Sequence, residues 1–336
     1  MRKNNLIILV LAISFALTGC FKEEIPTKFA GRSPNSKYVK LDCNSEANQM
    51  VFYDLSTGLN HSAPNNNWHL AFDALPNGNS VRVNLTRSNY HLYVLNTTDF
   101  KVSSDDVILQ GTEIMDSVSD WYSGNAIQML DSHPSKVYVY TQEPDLNGSP
   151  QGKIKFQITE ATNKTYSIRF LNEMFVGAKP IDFGFDKYNA YNFNYFSFNH
   201  GGRIVEIEPH KENWDIVFTQ YRDMVKFEQD NKFYPYQVLG TLINPYKTSV
   251  FEIPYKARFD EIDHQTCKLA DWCIVSNTIG FDWKYYSLNN GVYTTDTSKV
   301  WLLNDNEEFV YKMRFINYYN NNGNSGYPSF EYAKFN

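Results

Sequence analysis

The chain has 336 residues and a formal net charge of −6, with 24 Tyr and 24 Phe. The length admits one large domain or two medium ones. The acidic balance argues against a nucleic-acid binder, which carries a basic excess or patch.

Arg2 and Lys3 open the chain, Leu6 to Leu17 is apolar except for Ser14, and Leu17-Thr18-Gly19-Cys20 follows. This is the layout of a secretory signal, and the apolar run is too short to span a bilayer. The last four residues resemble a bacterial lipobox. That resemblance implies cleavage after residue 19 and acylation of Cys20, palmitate included, which anchors the chain in outer-membrane lipid. Loss of Arg2 and Lys3 with residues 1–19 takes the charge from −6 to −8 and leaves 317 residues. Lys22-Glu23-Glu24 resembles a surface-export signal of Gram-negative lipoproteins; a solvated charged tether is the other reading. Ile25 to Ser36, with Pro26, Gly31 and Pro34, reads as a flexible stalk, so residues 20–37 form a lipidated tether.

Beyond residue 36 helical periodicity is scarce, and no second apolar run approaches membrane-spanning length. Tyr and Phe favour strands, while the plentiful Asn and Gly favour the turns between them, so the body is expected to be all-β. Residues 152–172 read as a hairpin turning at Thr162-Asn163-Lys164. Trp214, Ile216 and Phe218 face one side of a strand and Asp215, Val217 and Thr219 the other, a mixed face that predicts half-burial. Residues 300–318 form a second hairpin around Asn304-Asp-Asn-Glu307. Cys267 and Cys273 could close a small disulfide loop or remain two thiols, and Cys43 is left unpaired and buried near the first strand. Their spacing fits no common zinc pattern.

The chain also repeats itself. Trp68-His-Leu-Ala-Phe72 returns as Trp214-Asp-Ile-Val-Phe218, and Tyr166-Ser-Ile-Arg-Phe-Leu-Asn172 as Tyr311-Lys-Met-Arg-Phe-Ile-Asn317. The spacings are 146 and 145 residues. Tyr53 to Gly58 echoes Phe196 to Gly201, and Gly177, Pro180 and Phe183 echo Gly326, Pro328 and Phe330. The period is too long for a solenoid. It predicts two tandem, duplicated antiparallel β modules, at 38–185 and 190–336, divided near Asp186–Asn194; chance likeness among aromatic strands is the alternative. Arg169 and Arg314 recur between aromatics, where an arginine stacks on a ring or pairs with a carboxylate.

The second half carries an ordered set of motifs: Asn213-Trp-Asp-Ile-Val-Phe218, Tyr221-Arg222, Tyr236 to Tyr246, Ile279-Gly-Phe-Asp-Trp-Lys-Tyr-Tyr286, Tyr311 to Asn320, and Gly326 to Tyr332. This set resembles the HmuY-like family of haem-binding bacterial lipoproteins, over about residues 190–336, and more faintly over 38–185 through the repeat. The resemblance implies a HmuY-like β fold at the outer membrane. It also implies a haemophore that holds haem between two axial His or Met side chains and passes it to a TonB-dependent receptor. The family's ligands lie in loops between the Trp-Asp-Ile strand and the terminal hairpin. In that interval Met224 and His264 are the axial candidates, since haem iron accepts thioether and imidazole. An exposed loop histidine and a gap-filling methionine are the plain readings of the same residues. Tyr286 and Tyr293 are further oxygen donors, and His61, His69, His200 and His210 are expected at the surface.

Catalytic signatures are missing: there is no Gly-x-Ser-x-Gly elbow, His-Glu-x-x-His or phosphate-cradling loop. Carboxylate pairs such as Asp105/Asp106, Glu252/Asp260 and Glu307/Glu308 are as common in any acidic β protein. A binding protein and not an enzyme is therefore expected, with haem or a related tetrapyrrole as cargo. A surface module for a glycan or a partner protein is the alternative, because exposed Trp and Tyr suit sugar rings as well.

Overall fold

The structure is a computed structural model that describes residues 33, 35–44, 46, 48–84, 90–128, 136–142, 152–227, 230–256, 258–287 and 290–335. The expected signal, Cys20 and Lys22-Glu23-Glu24 lie outside the described residues. The body is nearly all β, as expected. In the first half run β1 (Lys37–Lys40), β2 (Gln49–Tyr53), β3 (Asn60–Pro64), β4 (Leu70–Asp73), β5 (Ser80–Val83), β6 (Tyr90–Leu95), helix α1 (Ser104–Gln110), β7 (Thr112–Ile114), β8 (Ile127–Gln128), β9 (Val137–Gln142), β10 (Lys153–Ala161), β11 (Thr165–Asn172) and β12 (Ile181–Asp186). The second half brings β13 (Phe193–Ser197), β14 (Arg203–Val205), β15 (Ile216–Phe227), β16 (Lys232–Ile243), β17 (Ser249–Glu252), helix α2 (His264–Lys268), β18 (Lys284–Ser287), β19 (Val292–Thr295), β20 (Trp301–Asn304), β21 (Val310–Tyr319) and β22 (Ser325–Lys334).

Four sheets stack. Sheet 1 has the order β12-β11-β10-β9-β6-β7, sheet 2 β14-β13-β4-β5-β8, sheet 3 β16-β15-β2-β3 and sheet 4 β1-β22-β21-β20-β17. Period-two alternation sends successive side chains into different cores. Between sheets 1 and 2 lie Leu70, Phe72, Phe156, Tyr166 and Phe170. Between sheets 2 and 3 lie Met50, Phe52, Ala71, Phe193, Val217 and both repeat tryptophans. Val51, Tyr53, Ile216, Phe218, Met313 and Phe315 fill the space between sheets 3 and 4. Each outer face is covered beside a helix: Val107 of α1 packs on Val137 and Val139, and Phe259, Ile262 and Cys267 pack on Leu302.

This stacking overturns the expected half-burial of the Trp-Asp-Ile strand. Ile216, Val217 and Phe218 are fully buried, and Thr219 and Asp215 almost so, because sheet 3 has a sheet on either side. A strand buried on both faces reads as a continuous apolar run, as Ile216-Val-Phe218 does.

The repeat spacings reappear as one register used twice. Ile216 pairs with Tyr53 and Phe218 with Val51 in sheet 3. Leu70 pairs with Phe196 and Phe72 with Asn194 in sheet 2. Each inner sheet therefore joins strands from both halves: β2–β3 lie beside β15–β16, and β4–β5 beside β13–β14. The expected divide at Asp186–Asn194 does not separate sheets, because β13 begins at Phe193 inside sheet 2. Residues 38–185 and 190–336 interlock rather than standing as tandem modules. The echoing glycines agree: Gly58 and Gly201 close the turns after β2 and β13 at φ +77° and +84°, a conformation that favours glycine.

The recurring arginines pair with carboxylates across strands. Arg169 faces Asp182, Nε–Oδ1 2.7 Å, and Arg314 faces Glu331, Nε–Oε1 2.6 Å. That register matches Phe183 with Tyr332, not with Phe330 as the sequence echo suggested. The first pair is exposed, whereas Glu331 is fully buried and also accepts from Ser36 Oγ at 2.6 Å and the Ser33 amide at 3.0 Å. The second pair thus fastens the start of the described chain to sheet 4.

Candidate functional site

Two turn networks set the ends of the inner sheets. After each repeat tryptophan, one side chain accepts the amide of the residue two past the paired aromatic. Asp215 Oδ2 takes Leu55 N–H at 2.8 Å, and His69 Nδ1 takes Phe198 N–H at 3.3 Å. Asn244 Nδ2 donates to Trp214 O at 2.6 Å and to Lys211 O at 2.7 Å; Asn84 Nδ2 donates to Trp68 O at 2.8 Å and to Asn65 O at 2.6 Å. His69, expected at the surface, is instead packed edge-on against Tyr140 and Phe198, and burial lowers its pKa to about 4.

At the Asp215 end, a groove of about 970 Å3 opens between the turn after β2, the ends of β21 and β22, and the start of α2. That size is within the range of small-molecule sites. Asp263 caps α2 by accepting the amides of Gln265 and Thr266 at 3.0 and 3.1 Å, which places His264 at the groove. The imidazole packs against Phe335, centroids 5.3 Å apart. Phe309, Tyr311 and Tyr332 add aromatic wall. Three lysines line it too. Lys334 lies 3.0 Å over Phe309, Lys37 lies 5.7 Å over Tyr332, and Lys312 is pinned by the carbonyls of Phe259 and Ile262 at 2.8 and 3.1 Å. Asp263 and Glu307 are the acids of the rim. Beneath it, burial raises the Asp215 carboxyl to about 7, and burial with Asp305 nearby raises the Tyr311 phenol.

Met224, the other axial candidate, does not join His264. It sits on β15 opposite Pro235 and is half exposed. Ile216 pairs with Tyr53, whose hydroxyl meets that of Tyr332 in the groove wall, and Met224 is eight residues further along the strand, a rise of about 26 Å. No single iron can take both side chains. The residues present therefore do not fit a haem held by this pair; the donor set fits a haem held by one imidazole.

Beyond Phe218, β15 has β16 as its only strand partner among the described residues, and past the buried Tyr221 the two run on as a projecting ribbon. It exposes Met224 and Phe233 on one face and Tyr234 and Tyr236 on the other, the latter two edge-on to Phe227. Tyr286 and Tyr293 face each other across β18–β19, centroids 5.0 Å apart, away from the groove lining. Cys267 and Cys273 do not form the disulfide considered above: both are thiols. Cys273 is fixed by two backbone bonds to Val250, at 2.8 Å each, while Cys267 packs on the cluster of Phe259 and Ile262. Cys43 is buried as expected, and burial raises its thiol pKa. Among the described residues no group of three or more His, Cys, Asp or Glu could hold a metal ion, and no helix is long and apolar enough to cross a membrane.

The groove lysines and Phe335 were not singled out in the sequence. Lys312 is one member of an alternating strand, and Lys334 and Phe335 adjoin the C-terminus; only the β21–β22 register brings them to His264.

No family model and no curated protein matches the chain. Solved structures do, distantly. The crystal structure of apo PinO from Porphyromonas gingivitis is similar at 7% identity and a TM-score of 0.27, over 90% of this chain and 99% of that one. A structure described as a HmuY-like haem-binding protein from Bacteroides vulgatus gives 11% identity and 0.24, over 92% and 97%. One described as a lipoprotein from Bacteroides fragilis gives 14% identity and 0.22, over 52% and 91%. Likeness this loose assigns neither family nor ligand.

Proposed function

We propose that the chain is a non-catalytic cell-envelope lipoprotein, anchored through Cys20 and facing outward, that binds haem or a related anionic tetrapyrrole in the His264 groove for uptake. The carrying observation is an imidazole in a groove of about 970 Å3, between aromatic walls and three lysines. His264 would hold the iron, which supplies the coordination bond; Phe335 and Phe309 would face the ring, and Lys37 and Lys334 would meet its carboxylates. Transfer to a TonB-dependent receptor rests on the sequence resemblance. The lipobox supports the anchor, and the Glu331 clamp on Ser33 and Ser36 gives a tether a firm attachment.

The test is a haemin titration followed by the Soret band. A saturable shift with a high-spin, single-histidine spectrum is expected, weakened at least about tenfold in His264→Ala and unchanged in Met224→Ala. Equal binding by wild type and His264→Ala contradicts the assignment. One observation favours the second reading, a glycan or protein partner without haem: the ribbon exposes aromatic rings on both faces.

A further inference from the structure

The loop between β11 and β12 carries three consecutive large apolar residues, Met174-Phe-Val176. Phe175 is 66% exposed, Met174 62%, and Val176 wholly so. Among the described residues this is the only run of three exposed large apolar side chains. Single exposed apolar residues are ordinary, whereas a contiguous group marks an interaction site.

Local bonds hold this tip outward. Glu173 N–H donates to Lys153 O at 2.9 Å and Met174 N–H to Asn172 Oδ1 at 3.1 Å, which fixes the base of the loop. Ala178 N–H donates to Phe175 O at 3.1 Å, closing a turn through Gly177 at φ +75°. Met174 lies across Gly152, whose missing Cβ leaves room for it. The loop's one carboxylate is turned aside: Glu173 Oε1 accepts from Ser104 Oγ of α1 at 2.6 Å.

The charge beside the tip is positive. Lys179 follows the turn and is exposed. Leu171 and Pro180, at either end of the loop, line a cleft of about 590 Å3 together with Phe100, Lys101, Lys155 and Arg169. Arg169 is matched by Asp182, and Lys155 Nζ donates to Val102 O at 2.7 Å. Asp99 accepts the Lys101 amide at 2.9 Å. Lys101 and Lys179 form no ion pair among the described residues.

We propose that this tip docks on an anionic lipid surface, with Phe175 and Val176 entering the headgroup layer and Lys101 and Lys179 meeting lipid phosphates. The occupant follows from where the chain outside the described body ends. Cys20, the proposed lipid anchor, is 13 residues from Ser33, a reach of about 45 Å. Four stacked sheets are about 30 Å deep, so the tether lets sheet 1, at the far end of the stack from the Ser33 clamp, touch the bilayer that holds the anchor. A tip of three side chains suits a bilayer and falls well short of the roughly 800 Å2 per partner that a stable protein interface buries. Insertion is shallow, because the turn's remaining backbone groups stay among the headgroups.

This rests on the proposed acylation of Cys20 only for reach. The test therefore uses the chain from residue 20 with Cys20→Ser, so that failure of the anchor and failure of the tip are separate results. This parent should sediment with vesicles of equal parts phosphatidylcholine and phosphatidylglycerol. Phe175→Ser/Val176→Ser should weaken partitioning at least about tenfold. Lys101→Gln/Lys179→Gln should weaken it severalfold on these vesicles and leave binding to pure phosphatidylcholine unchanged. All four side chains are exposed or at the surface of the cleft, so unfolding midpoints should stay the same. A parent that does not sediment with the mixed vesicles, or either variant sedimenting as the parent does, overturns the proposal. So does a parent dimer on gel filtration that the serine variant loses, which marks a second copy as the occupant.

Discussion

Lys284 shows how much a single buried charge shapes this body. It is 8% exposed, its ammonium donates to Leu239 O at 2.5 Å, and it lies 4.2 Å over Trp283 and 4.9 Å over Tyr318. Burial lowers its pKa from 10.5 to about 7. A lysine whose folded pKa is depressed stabilises the fold above its unfolded pKa, and that stability is lost as pH falls from 10.5 through 7. Denaturant titrations of wild type and Lys284→Met between pH 7 and 9 should therefore diverge. Wild type gains relative to the variant by up to about 1.4 kcal/mol per pH unit. Parallel profiles would contradict this. Glu208 and Asp215, raised by burial, run the other way in both chains and cancel in the difference. At this scale the sequence was partly readable. Trp68 and Trp214 stood out because large aromatics at one spacing are rare. Asn84 and Asn244, which hold the tryptophan carbonyls, did not, because extra residues in β15–β16 move their spacing from 146 to 160.

Among elements, the hairpins at 152–172 and 300–318 lie where alternation placed them, since each turn is local. The partners of β2 and β13 were not legible: register follows from burial between two sheets, and pairs such as Tyr53–Ile216 and Leu70–Phe196, 163 and 126 residues apart, leave no local mark. This exchange has a mechanical consequence. A chain cut in the segment between β12 and β13 should stay together, because β2 remains paired with β15 and β4 with β13. Gel filtration after a single engineered cleavage at 187–191 should give one species of full mass in native buffer. Two separable folded fragments would contradict the interlocked sheets.

At the scale of the whole molecule, the groove and the ribbon are different parts of one body, and they divide the functional readings between them. The groove is assembled from residues near 37, 55, 264, 309 and 332, so its chemistry was invisible until β1, β21 and β22 were paired. His264 was picked out from the sequence as a ligand; its lysine and phenylalanine neighbours were not. The ribbon is the second half's own enlargement, since β15 and β16 have twelve residues each where β4 and β5 have four. Replacing Met224–Pro235 with an Asn-Gly turn between the paired Asp223 and Tyr236 removes its projecting part and leaves the buried strands intact. The most direct measurement is the haemin affinity of that shortened chain beside His264→Ala. Wild-type affinity in the shortened chain, with a loss of at least about tenfold in His264→Ala, is the result predicted. The reverse pattern, binding lost with the ribbon and kept without the imidazole, would contradict the groove as the ligand site.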